Sequence, residues 1–156
     1  MNILQNNHLF ENSHYKVFQG YYNDRSGIIK ELKKTSHPLA TELIEREINI
    51  FRNYGLDELI APVESGLNNK RKFLCYINLE GTSLEDILTG SNIDITSAVR
   101  LILRLSRHIE KIHKKGLVHC NIHPGSIISS PDNEKIKLIC FESARLCDDP
   151  VSDPSG

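Results

Sequence analysis

Two hydrophobic rhythms divide this chain. Residues 3–10 and 15–22 carry the aromatic and branched side chains of strands, and residues 28–32 alternate apolar with charged positions. Asn23-Asp24-Arg25-Ser26-Gly27 between them is turn chemistry, which predicts an antiparallel hairpin. Ser36-His37-Pro38 marks a helix start, because proline's missing amide has no intrahelical acceptor in the first turn. That helix is expected to run to Tyr54 and stop at Gly55, with Leu39, Leu43, Ile50 and Tyr54 as its buried stripe and Glu47 on the same line. Residues 60–66 and 72–79 read as two more strands around the polar turn Leu67-Asn68-Asn69-Lys70.

After Gly81 the period lengthens. Leu84-Glu85-Asp86-Ile87-Leu88 predicts a short helix, and Asp94 caps a long one reaching Lys115. Ile95, Val99, Ile102, Leu105, Ile109 and Ile112 step by three or four along it as one stripe, and Gly116 suits a left-handed cap. A polar loop leads to a short strand at residues 136–139. The order is α+β: a five-stranded antiparallel sheet with one inserted helix, then a mainly helical part.

Composition adds limits. With 156 residues, 39% of them apolar, the chain can bury one core. A net charge of −1 and the lack of any basic run give no general attraction to nucleic acid or to an anionic membrane. No stretch approaches the roughly 18 apolar residues of a membrane span, and residues 1–6 lack the pattern of a signal peptide. A cytoplasmic location is the expectation. Cys75, Cys120, Cys140 and Cys147 form no CxxC pair, so reduced thiols are expected. The polar tail 148–156, with Pro150 and Pro154, is expected to be disordered.

The richest segment is His119-Cys120-Asn121-Ile122-His123-Pro124-Gly125-Ser126-Ile127, followed by Ile136-Lys137-Leu138-Ile139 and then Cys140-Phe141-Glu142. It resembles the active-site segments of the eukaryotic-type protein kinase family, which read H-R-D-L-K-P-x-N and D-F-G. His119, Ile122, Pro124 and Ile127 are similar to the variant in N-terminal kinase domains of large bacterial multidomain signalling proteins. The resemblance spans residues 1–147 and implies a protein-kinase-like fold. Residues 1–81 would be its small lobe and 82–147 the first part of its large lobe, so a C-terminally truncated domain is expected.

The same resemblance assigns positions. Lys30, between inward Ile28 and Leu32, matches the lysine that holds the ATP phosphates, Ile28 lines the adenine, and Glu47 pairs with Lys30. Gly81 matches the link between lobes, where the resemblance implies that adenine pairs with backbone. Asn121, Ser126 and Cys140 stand where the family has its proton-accepting Asp and its two Mg²⁺ ligands. An amide cannot take the proton at neutral pH, and a hydroxyl and a thiol are poor replacements for hard magnesium ligands. Phe10-Glu11-Asn12-Ser13-His14-Tyr15 replaces the glycine-rich phosphate loop, and Glu142 replaces the glycine of D-F-G, with a displaced carboxylate as its conceivable use. A rival reading gathers His119, Cys120, His123, Cys140 and Cys147 as zinc ligands. Pro124-Gly125 opposes it by making the His119–His123 spacing a loop, and no metal is expected.

Two function classes follow. One is a catalytically inactive kinase-like module, a pseudokinase acting in binding or regulation of signalling, with weak ATP binding left open. The alternative is a residual Ser/Thr kinase or ATP-binding phosphotransferase with non-standard metal ligands. A protein partner, downstream domains of a longer chain, or self-association would use the surface a full large lobe covers. There Leu101, Leu103 and Leu117 are expected to be exposed.

Overall fold

The computed structural model describes residues 3–34, 38–56, 60–61, 63–90, 93–130 and 135–147. The expected helix start at Ser36-His37 and the tail 148–156 lie outside them. Five antiparallel strands form one sheet: β1 Ile3–Glu11, β2 Tyr15–Tyr22, β3 Arg25–Leu32, β4 Val63–Asn68 and β5 Arg71–Ile77, in the order β1-β2-β3-β5-β4. Helix α1, Pro38–Tyr54, is inserted between β3 and β4.

The β2–β3 turn is tighter than the sequence suggests. Only Asn23 and Asp24 lie outside the strands, with φ of 49° and 60°, and Tyr22 pairs with Arg25. Two successive left-handed residues are the geometry that matches strand twist, and Asn and Asp tolerate it. Asn69 and Lys70 repeat the device between β4 and β5, with φ of 48° and 66°, so Leu67 and Asn68 belong to a strand. At the other end of β4, Ile60 and Ala61 are buried but precede the strand.

Side-chain alternation sorts the sheet. Ile28, Lys30 and Leu32 of β3 join Leu74 and Tyr76 of β5 on the inner face, packed with α1. Phe18, Ile29, Phe73, Cys75 and Ile77 form a second cluster on the opposite face. The buried line of α1 is Ala40, Ile44, Glu47, Ile48 and Phe51, whereas Leu39 and Leu43 are 56% and 38% exposed. This corrects the predicted stripe. The helix offers two adjacent apolar lines, Leu39-Leu43 and Ala40-Ile44, and the second, which continues through Glu47, Ile48 and Phe51, is the one that faces the sheet. Ile50 is buried as expected, and Tyr54 is half-buried.

The second part begins with β6 Thr82–Ser83, α2 Leu84–Gly90 and α3 Ile95–Lys114. Asp94 caps α3, its carboxylate accepting from the Ser97 amide at 3.0 Å, and Gly116 takes φ of 79° beyond the end. Then come β7 Leu117–Val118, a 3₁₀ turn Pro124–Ser126, β8 Ile127–Ser129, β9 Ile136–Leu138, a 3₁₀ turn Phe141–Ser143 and β10 Arg145–Leu146. β6, β8 and β9 form one small sheet, and β7 pairs with β10.

Two expectations fail here. Ile95, Val99 and Ile102 are 84%, 50% and 59% exposed, so the predicted stripe of α3 meets the core through its C-terminal half, where Ile112 is buried and the half-buried Leu105 and Ile109 pack against the cluster. Leu117 is buried, because β7 places it in the core cluster, while Leu103 is exposed and Leu101 half-buried.

Gly81 joins the two parts at a φ of 147°, and a Cβ there would sit 2.1 Å from the Ser129 carbonyl oxygen. Gly81→Ala is expected to lower stability by about 1–3 kcal/mol through this overpacking, read as a reduced urea midpoint. An unchanged midpoint would mean that the link relaxes freely. No helix among the described residues is long and apolar enough to cross a membrane.

Candidate functional site

The inner face of the sheet carries a buried cation, Lys30. Lys30 is 2% exposed, as strand alternation requires of a residue between Ile28 and Leu32. Its ammonium donates to Glu47 Oε2 at 2.7 Å and to Glu142 Oε2 at 2.7 Å. The Tyr15 ring closes the remaining side, its centroid 4.1 Å from Nζ. Two carboxylates and an aromatic ring of the same chain thus surround the ammonium.

Each partner is itself fixed. Glu47 Oε1 accepts from the Phe141 amide at 2.8 Å and, through a short hydrogen bond, from the Tyr76 hydroxyl. The Tyr76 oxygen accepts from the Cys140 amide at 2.9 Å. Glu142 Oε1 accepts from the Tyr15 hydroxyl at 2.7 Å. Phe51 and Phe141 pack edge to face at 5.4 Å beside this network and help exclude water.

Burial alone would discharge Lys30, but the carboxylates of Glu47 and Glu142 hold its ammonium well above the ordinary lysine value. One lysine cannot fully neutralise two carboxylates, and their surroundings divide the burden. For the deeper Glu47, burial outweighs the attraction of Lys30 and raises the carboxyl. For Glu142, burial is overcome by Lys30 and by hydrogen bonds from Lys30 and Tyr15, which hold the carboxyl below its usual range. Burial also pushes the Tyr15 and Tyr76 phenols and the Cys140 thiol up, so all three remain neutral.

These shifts have a consequence for acid stability. Glu142 ionises more readily folded than unfolded, so its contribution is present above the unfolded carboxylate value and is lost as pH falls through its depressed folded value. Urea midpoints measured from about pH 5 downward should fall in the native chain and fall less steeply in Glu142→Gln. Equal slopes would place the acid sensitivity elsewhere.

The remaining predicted positions sit around this cluster. Ile28 is fully buried beneath the sheet. Cys140 is fully buried in a left-handed conformation, φ 69° and ψ 58°. Ser126 is likewise buried and confined to its own turn, donating to the His123 carbonyl at 2.9 Å and accepting from the His123 amide at 3.1 Å. Asn121 is half-buried in a cleft with Glu11, Glu85, Asp86 and His123, where carboxylates outnumber cations. His119 is used in the core, its ring bonded to the Ile139 carbonyl at 3.0 Å and tilted against Phe141 with centroids 4.5 Å apart. Among the described residues no three His, Cys, Asp or Glu side chains gather as a metal site, and the cysteines there are free thiols.

Sequence reasoning brought Lys30 and Glu47 to one place but missed Tyr15, Tyr76 and the placement of Glu142. Glu142 does not project as a displaced metal ligand; it turns inward as the second partner of Lys30. The available signal was charge: a buried lysine with one carboxylate on its face and a second carboxylate replacing a glycine.

Comparison with known proteins agrees with this architecture. The chain is 28% identical over 100 residues to the serine/threonine-protein kinase PAK mbt of Drosophila melanogaster, covering 64% of this chain and 16% of that protein. It is 28% identical over 126 residues to the serine/threonine-protein kinase pkn2 of Myxococcus xanthus, covering 78% and 15%. Against the serine/threonine-protein kinase cds1 of Schizosaccharomyces pombe it is 24% identical over 157 residues, covering 87% and 34%. The chain thus matches no more than about a third of the length of these relatives. The family model for the protein kinase domain matches residues 13–154. With the curled five-stranded sheet, the inserted helix and the segment from His119 to Glu142 in the family's order, this chain belongs to the protein kinase domain family.

Proposed function

We propose that this chain is a catalytically inactive kinase-like module that acts in the cytoplasm by binding or regulation of signalling. The carrying observation is that the Lys30 ammonium is enclosed by Glu47, Glu142 and Tyr15. In the family this lysine holds ATP phosphates. Here a phosphate would have to displace a buried carboxylate and a tyrosine ring. Tyr15 is the first residue of β2, directly after the β1–β2 turn that replaces the glycine-rich phosphate loop, and its ring fills the space over Lys30.

The residues also fit a magnesium nucleotide poorly. Cys140 offers a buried neutral thiol, Ser126 a hydroxyl engaged with His123, and Asn121 an amide. Losing the base carboxylate alone removes roughly 10²-fold to 10⁴-fold of rate. No phosphoryl-transfer step is assigned to these groups.

The test is a thermal melt with ATP, with and without Mg²⁺. A ligand at 100 times its dissociation constant stabilises a fold by about 2.7 kcal/mol, which displaces the midpoint visibly. The native chain is expected to melt at the same temperature in every condition. An upward shift with ATP would establish a nucleotide pocket, and a shift needing Mg²⁺ would overturn the proposal if labelled phosphate also moved from ATP to a Ser/Thr peptide. That second reading, a residual Ser/Thr kinase, is favoured by the names of the relatives and by Asn121 facing the cleft.

A further inference from the structure

Far from the Lys30 cluster, one corner of the sheet concentrates positive charge. The end of β3, the first turns of α1 and the tip of the β4–β5 hairpin enclose a cleft lined by Lys33, Lys34, Lys70, Arg71 and Lys72, with Thr41 on one wall and Leu67 at the rim. Five cations in one recess are a marked segregation in a chain of net charge −1.

The nearby carboxylates leave this charge incompletely balanced. Glu31 is 1% exposed and held within the sheet by Asn68 Nδ2 at 2.8 Å, Lys16 at 3.2 Å and Arg71 at 3.2 Å. Lys33 meets Glu11 at 3.2 Å, and Lys72 pairs with Glu45. Among the described residues no carboxylate lies within 4.0 Å of the Lys34 or Lys70 ammonium. Arg71 also lines the cleft, with one guanidinium nitrogen already engaged by Glu31. The hairpin tip is conformationally set, with Asn69 and Lys70 both in the left-handed region, so the charges are presented from a tight turn.

We propose that this cleft docks an acidic, extended segment of a protein partner. Carboxylates or phosphates of the segment would meet Lys34, Lys70 and Arg71, and an apolar side chain beside them would pack on Leu67, which is 58% exposed. A nucleic acid is disfavoured because no aromatic ring lines the recess to stack a base, and the chain as a whole has no positive field. The proposal names the partner chemistry for the binding-module reading and rests on that reading only for the existence of a partner.

The experiment is fluorescence anisotropy on the full chain with a labelled peptide of alternating Glu and Leu, against its Gln counterpart and an oligothymidylate of equal charge. Expected is binding of the Glu peptide that weakens with salt, is about tenfold or more weaker in Lys34→Glu/Lys70→Glu, and is absent with the Gln peptide. No binding by the native chain, equal binding by the double variant, equal binding of the Gln peptide, or tighter binding of the oligothymidylate would each overturn it. Neither lysine touches the Lys30 cluster, so ATP melts on the same variant report separately on the inactive-module reading.

Discussion

Lys30→Met is expected to destabilise the fold by about 3–5 kcal/mol, the usual consequence of removing one partner from a buried ion pair. Methionine fills much of the same space, so packing is nearly kept and the loss is electrostatic. Glu47 and Glu142 would be left facing each other behind Tyr15 and Phe141, with hydrogen bonds but no cation. The cost should shrink at acid pH, where both carboxyls are protonated and no longer need the ammonium. Equilibrium unfolding in urea measures it directly. The double variant Lys30→Met/Glu142→Gln should recover part of the loss, and the coupling between the two sites isolates their interaction. A loss below about 1 kcal/mol would mean that Lys30 is not held as described. In a kinase that uses this lysine only for nucleotide, the same substitution registers mainly in activity.

Cys140→Asp supplies the carboxylate the family places at this position, and it is expected to destabilise by about 3–5 kcal/mol at neutral pH rather than confer activity. Cys140 is fully buried, and its thiol already responds to the charges of Glu142 and Glu47. A third carboxylate would share a single lysine with those two. Its own pKa would rise on burial, so the loss should be smallest at acid pH and grow as pH rises through the elevated value. Urea unfolding at pH 5 and pH 8 tests the sign. A variant as stable as the parent at pH 8, with Mg²⁺ raising its melting temperature, would show that the site accepts a metal nucleotide after one change.

Most of the sheet was legible in the sequence because alternation and turn residues are local. The two-residue turns at Asn23-Asp24 and Asn69-Lys70 were misread as longer because Ser26, Gly27, Leu67 and Asn68 look like loop residues until cross-strand pairing is known. The helices were legible in extent but not in orientation. Leu39 and Leu43 on α1, and Ile95 and Ile102 on α3, have the spacing of a core face. Which of two adjacent apolar lines turns inward depends on what packs opposite. Within the site, Lys30 and Glu47 shared a predicted face, whereas Glu142 lies 112 positions from Lys30 and Tyr15 lies 127 from Glu142. No periodicity reaches across such separations. Their roles depend on a 3₁₀ turn at Phe141–Ser143 that aims a carboxylate back at the sheet.

That turn also governs how the molecule comes apart. Residues 141–144 are tied to the strands by Glu142 and to α1 twice, through the Phe141 amide on Glu47 and through Arg46 donating to the Ala144 carbonyl at 2.8 Å. A segment of four residues with so many anchors has no inexpensive local opening, since swinging it outward uncovers Lys30 and Glu47 together. The sheet and the segment beyond α3 are therefore expected to unfold as one cooperative unit, with the Phe141 amide exchanging with solvent only at the global unfolding free energy; faster exchange measured at that amide would show a local opening.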